Sequence, residues 1–298
     1  MDKLTSILVV IDPRDDTHNV LTKALLLARQ SRAHLELFLC DSDQAHQLRH
    51  AYDTRGVAAA RRDSITTGER YLDSIRRALP PDIVSSTHVA CESPLYEALV
   101  HRVLESGVDL VMKRPAGLHP LRRVTLDAND WELARTCPVP LMLTRGRAWR
   151  TPARFVAAID SSHPDGAELA RTIVHTAGYL VQTCGAQLGV VFSDREEGDA
   201  ADHWQRSDAF GRLVNEFLIA GEQVHLLHGE AADTIPDFIT QDGCDVLVLG
   251  ALTHRNELAA LMGTLTAKLV DQLECDFVLV KPESYACPVA LRENAAAG

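Results

Sequence analysis

The chain opens without a leader-like apolar segment. Met1 to Ser6 is polar, and the run that follows, Ile7 to Ile11, is too short for a signal core or a membrane span. The expected compartment is the cytoplasm, with no membrane partner. An excess of positive charge is also lacking. The formal net charge is −11, and a nucleic-acid binder needs a basic face for the phosphate backbone. The basic runs that do occur (Arg61 and Arg62, Arg76 and Arg77, Arg122 and Arg123, then Arg145, Arg147 and Arg150) read as solvated faces and a linker. Seven cysteines, an odd number with no CxxC pair, support neither a disulfide framework nor a zinc knuckle, so they are expected to be structural thiols. Phosphate-handling signatures are missing too: no GxxxxGK[ST], no GxGxxG after a strand and no GxSxG elbow. No general-base constellation stands out, so no catalytic residue is assigned; a slow ATPase is the most the residues allow.

What the sequence does contain is a repeat. Ile7-Leu8-Val9-Val10-Ile11-Asp12 returns as Phe155-Val156-Ala157-Ala158-Ile159-Asp160. Val108-Asp109-Leu110-Val111-Met112 returns as Cys244-Asp245-Val246-Leu247-Val248, and the Cys137 to Leu143 run as Cys275 to Val280. Order is kept, so two copies are the economical explanation. Strand-like runs fall near 6–11, 34–40, 83–90, 108–113 and 139–144, and again near 154–159, 186–192, 222–228, 244–249 and 276–281. Helical spacing lies between them, strongest from Asp165 to Val181, where Leu169, Ile173, Val174, Ala177 and Leu180 share a face. Near-continuous apolar strands separated by helices predict an α/β fold of two tandem doubly wound domains, each a five-stranded parallel sheet with flanking helices. The expected units are 1–144 and 153–282, with a polar linker at 145–152 and a frayed, flexible tail at 283–298.

An open parallel sheet takes ligands at the carboxyl ends of its strands, where strand order reverses. In the second copy, Asp160 ends the first strand, Gly250 ends the fourth, and Met262-Gly263-Thr264 opens a helix whose first amides favour an anion. Gly250-Ala251-Leu252-Thr253, nine residues, then Gly263-Thr264 resembles the phosphate-binding pattern of the universal stress protein family. The Ile-Asp ending of the first strand and the run from Cys275 to Pro282 are similar as well. Asp127-Ala128-Asn129-Asp130-Trp131-Glu132-Leu133 with Cys137-Pro138 resembles the first half of its tandem, type E subgroup. That resemblance implies an adenine-nucleotide α-hydrolase-like fold and a stress-response protein. It implies ATP, with Mg accompanying the nucleotide, held by Asp160, Gly250, Thr253, His254, Arg255, Gly263, Thr264 and Leu265. Thr253 stands where the pattern has its second glycine. A β-branched residue forced to positive φ is strained by about 1–3 kcal/mol, so either the loop takes another path or the phosphates bind less well. His254 and Arg255 either reach a phosphate or face solvent.

The first copy has Lys113-Arg114-Pro115 where Gly250 stands in the second. Asp12 there reads as a turn cap, and Lys113, Arg114, Arg122 and Arg123 as a cluster for a different anion. His46 and His50, with Asp41 and Asp43, read as a solvated face rather than a metal site, and no metal is assigned. Two functions of different class follow. One is a nucleotide-responsive stress protein acting through conformation or an unknown protein partner. The other is a ligand-independent scaffold built as an internal pseudo-dimer or as a homodimer; the family resemblance implies pairing through the last strands, here Val139 to Thr144 and Phe277 to Lys281. A small apolar or lipid-like ligand in the first copy is a third class.

Overall fold

The computed structural model describes residues 3–14, 17–49, 51, 54–116, 126–160, 166–194, 211–212, 215–251 and 264–290. In the first copy the strands are β1 (Ser6–Val10), β2 (His34–Cys40), β3 (Ser85–Ala90), β4 (Leu110–Lys113) and β5 (Leu141–Leu143). Its helices are α1 (His18–Ser31), α2 (Ser42–Leu48), α3 (Thr54–Ala78), α4 (Leu95–Ser106) and α5 (Ala128–Thr136). In the second copy the strands are β6 (Arg154–Asp160), β7 (Gln187–Asp194), β8 (Val224–His228), β9 (Val246–Gly250) and β10 (Asp276–Val280). They are joined by α6 (Gly166–Cys184), α7 (Ala231–Asp242) and α8 (Thr264–Gln272).

All ten strands form one sheet in the order β3-β2-β1-β4-β5-β10-β9-β6-β7-β8. Each copy contributes five parallel strands. The seam between them is antiparallel, with Leu141, Met142 and Leu143 opposite Leu279, Val278 and Phe277. Because side chains alternate along a strand, each strand feeds both faces. Ile7, Val9, Phe155 and Ala157 enter the layer under α1 and α6, together with Val20, Ala24, Leu27, Ile173, Val174 and Leu180. Leu8, Val156, Leu143 and Phe277 enter the opposite layer, against α4, α5, α7 and α8. Burial on both faces is why these strands read as continuous apolar runs rather than as alternating ones. The apolar stripe of α6 buries Ala170, Ile173, Val174, Ala177 and Leu180, with Leu169 at its margin.

The duplication survives in polar detail. Asp109, just before β4, accepts bonds from the Thr5 and Ser6 amides at 2.6 and 3.0 Å, pinning the start of β1. Asp245, just before β9, does the same for β6 through the Arg154 amide at 2.8 Å. A carboxylate that satisfies otherwise unpaired strand-end amides is a reason for this aspartate in each copy.

The segment 145–152, expected to be a polar linker between the copies, is fastened at several points. Arg145 is buried; its amide donates to Asp276 Oδ1 at 2.6 Å and its guanidinium to the Val270 carbonyl. Trp149 Nε1 donates to Asp276 Oδ2 at 2.7 Å. Lys23 Nζ, from α1 of the first copy, meets the same oxygen at 2.6 Å and the Arg145 carbonyl at 3.0 Å. Part of the segment's polarity thus belongs to a buried network that joins the copies. Glu283–Ala290, expected as the start of a frayed tail, are also tied down, through Ser284 to Glu168 and Tyr285 to Arg135. All seven cysteines are free, and the described ones sit at partly or fully buried positions, as structural thiols should.

Removing one partner from the Lys23–Asp276 pair leaves an uncompensated buried charge. Asp276→Ala is expected to lower unfolding free energy by about 3–5 kcal/mol, read by chemical denaturation. Arg29→Ala, which breaks the exposed Arg29–Asp82 pair, should leave the midpoint nearly unchanged.

Candidate functional site

Each copy has the strand order that makes a crevice. In the second, β6 and β9 are neighbours, with Phe155, Val156 and Ala157 beside Val246, Leu247 and Val248. The chain leaves β6 toward β7 on one side and leaves β9 toward β10 on the other. The connections therefore diverge above the carboxyl ends of β6 and β9, and those ends are Asp160 and Gly250. α8 starts at Thr264 beside the same edge, because the Thr266 hydroxyl donates to the Gly250 carbonyl at 2.9 Å. The first-turn amides of such a helix have no partner within it. Asp160, Gly250 and the beginning of α8 thus lie around one crevice. Thr253, His254, Arg255 and Gly263 fall outside the described residues, as do the side chains of Asp160 and Thr264. Leu265 packs against the core layer beneath α8, a position that serves helix docking.

Gly250 has a packing role that sequence reading did not find. A Cβ there would come within 2.5 Å of Leu169 Cδ2 and 3.1 Å of Leu169 Cγ. The absence of a side chain lets α6 lie close across the end of β9, so this glycine serves the helix–sheet contact whatever approaches from the crevice.

The equivalent position in the first copy is filled by the protein itself. Lys113 ends β4 and is buried. Its Nζ meets Asp130 Oδ1 at 2.5 Å and the Arg114 carbonyl at 3.0 Å. Asp130, fully buried in α5, accepts the Ala116 amide on its other oxygen at 2.8 Å. Burial pushes the Asp130 carboxyl above its usual range and the Lys113 charge opposes that shift. The expected anion cluster of Lys113, Arg114, Arg122 and Arg123 is corrected accordingly: the charge of Lys113 is spent internally, and Arg122 and Arg123 fall outside the described residues. Asp12 is, as expected, a turn-capping residue, accepting the Arg14 amide at 2.9 Å. Arg14 in turn bridges Asp12 and Asp43. Beside this pair lies a cleft of about 320 Å³ lined by Ser42, Asp43, His46, Ser93, Leu95 and Asn129, among others.

Among the described residues no group of three or more histidine, cysteine or acidic side chains could hold a metal ion. His225 lies against the Phe238 ring at 4.8 Å between centroids, while His228 at the strand end is exposed. Burial, with Arg154 nearby, holds the His225 imidazole below its usual range. The residues that sequence reading missed are Lys23, Asp130 and Asp276. Lys23 and Asp276 are charges set inside or at the edge of an apolar segment, where full burial demands a partner; Asp130 sits in a polar run and shows only its place in a helix start.

Comparison with known proteins agrees with this architecture. The model of the Universal stress protein family matches residues 3–145 and 154–281. The chain belongs to that family, with two of its domains in tandem. It is similar to Universal stress protein E of Escherichia coli K12, at 24% identity over 97% of this chain and 98% of that protein. The Universal stress protein E homolog of Haemophilus influenzae is 21% identical over 94% and 98% of the two chains. Among solved structures, a universal stress protein from Archaeoglobus fulgidus superposes with a TM-score of 0.65 at 10% identity, covering 94% of this chain and 97% of that one. One assigned to the same family from Pseudomonas aeruginosa UCBPP-PA14 gives 0.71 at 23% identity, covering 94% of each. At these identities the superpositions speak for the fold.

The close approach of Leu169 gives a stability prediction. Gly250→Ala should cost about 1–3 kcal/mol through overpacking, and Leu169→Ala in the same chain should recover part of that loss. Additive losses in denaturation midpoints would show that the two residues do not meet.

Proposed function

We propose that this tandem universal stress protein binds ATP, or a related adenine nucleotide with its Mg, in the second copy. It acts in the cytoplasmic stress response through the conformation or partner contacts that the nucleotide selects. The units are 1–144 and 153–282. The observation that carries the reading is the shared location of Asp160, Gly250 and the start of α8 around the β6/β9 crevice. A carboxylate at a strand end can accept from ribose hydroxyls or a base amine, and unpaired amides at a helix start favour phosphate. Gly263-Thr264 continues the family's phosphate pattern in sequence, and His254 and Arg255 lie in the same stretch of sequence. The first copy fits this role poorly, because Lys113 and Asp130 neutralise each other where the loop glycine would be.

A second reading is favoured by the seam. The β5–β10 pairing makes one continuous sheet from two copies, the arrangement of an internal pseudo-dimer that presents a fixed surface to another protein without any ligand. Calorimetric titration separates the two. The first reading expects saturable heat with ATP and Mg, abolished by Gly263→Val. No heat at millimolar ATP would leave only the second.

A further inference from the structure

The last turn of α5 is capped by residues about 150 positions away. An α-helix leaves its final four carbonyls without partners inside the helix. α1 and α4 close in the ordinary way, with Arg32 and Gly107 in the left-handed region returning an amide to the Ala28 and Val103 carbonyls. In α5 the Cys137 amide returns to the Leu133 carbonyl at 2.9 Å, but no left-handed residue follows to carry the chain back over the last turn. Cys137 is extended, at φ −61° and ψ 121°, and Pro138 follows it, with no amide hydrogen to give.

The donors come from the end of the second copy instead. Lys281 Nζ donates to the Ala134 carbonyl at 2.8 Å and the Cys137 carbonyl at 2.6 Å. Tyr285 Oη donates to the Arg135 carbonyl at 2.8 Å, and Cys287 Sγ contacts the Thr136 carbonyl at 3.4 Å. The last three helical carbonyls, Ala134 to Thr136, and that of the cap residue Cys137 are thus met by three side chains spaced over seven residues of chain. Lys281 is buried, lies 5.2 Å from the Tyr285 ring centroid and pairs with no carboxylate among the described residues. Its charge therefore answers the negative end of the helix alone. Burial pushes its ammonium down to about 8, which keeps it largely charged at neutral pH. Val289 packs onto the same apolar layer.

The opposite end of α5 reaches the first copy's crevice. Asp127 caps it through the Asp130 amide at 2.7 Å, Asn129 lines the 320 Å³ cleft, and Asp130 holds both Lys113 and the Ala116 amide. One short, stiff helix connects the tail contact with the crevice. We propose that Lys281–Ala290 is an intramolecular strap by which the second copy fixes α5, and through it the crevice of the first copy. Seating the strap and ordering that crevice are then coupled, and by linkage a ligand that prefers the ordered crevice stabilises the seated tail in return.

Hydrogen exchange on full-length variants tests this. Tyr285→Phe with Cys287→Ala removes two of the four caps without changing charge. Amides of Trp131 to Cys137, and that of Ala116, should exchange about tenfold faster, while amides of α8 keep their protection. Lys281→Met should give the same pattern, with a larger effect on the last turn. Unchanged protection of α5 in both variants would overturn the strap. Faster exchange confined to the last turn, with Ala116 unaffected, would overturn its coupling to the crevice. Equal loss in α5 and α8 would also overturn it, by showing general loosening.

Discussion

The carboxylate of Asp276 is the interaction on which the joining of the two copies depends. It opens β10, the strand that faces β5 across the seam. In that place it gathers the Lys23 ammonium from α1, the Arg145 amide and the Trp149 indole. Burial pushes the Asp276 carboxyl up and the Lys23 ammonium down, and each partner's charge opposes the other's shift. A buried pair of this kind contributes little net stability when compared with apolar residues. What it does is fix geometry, because only one docking of α1, the connecting segment and β10 satisfies all three donors. Apolar packing alone would tolerate sliding along the seam, where Leu141, Met142 and Leu143 meet Phe277, Val278 and Leu279.

The same economy of charge divides the copies by role. In the first, Lys113 and Asp130 close on each other at the end of β4, and Arg14 spans Asp12 and Asp43. In the second, the corresponding strand ends in Gly250, with Leu169 packed against it from one side and the crevice on the other. Both copies retain the aspartate that pins the first strand, Asp109 and Asp245, so the scaffold is common. Divergence is concentrated at the carboxyl edge, where side chains can change without disturbing the layers.

Much of the scaffold was legible in the sequence. Most strands fall on short apolar runs, several of them ending at Asp or Gly, and α6 follows its stripe from Ala170 to Leu180, because burial on fixed faces leaves a period in the residues. The long helix α3 was not foreseen. Gly68, Tyr71, Leu72 and Ile75 form its core-facing stripe, narrow and set among the arginines of an otherwise polar segment. The buried charges were illegible for a different reason. A lysine that will meet an aspartate far along the chain looks like any surface lysine until the fold brings them together. Of the candidate site, the placing of Asp160, Gly250 and Thr264 at one edge follows from alternation of strands and helices. The packing of Gly250 against Leu169, and the self-neutralised first crevice, are tertiary facts with no local signature.

The proposed function puts one nucleotide site in each chain. Native mass spectrometry with ATP and Mg measures that number directly. A single nucleotide per chain, lost on Asp160→Ala and retained on Asp12→Ala, is the expected result. Two nucleotides per chain, none, or loss on Asp12→Ala alone would contradict it.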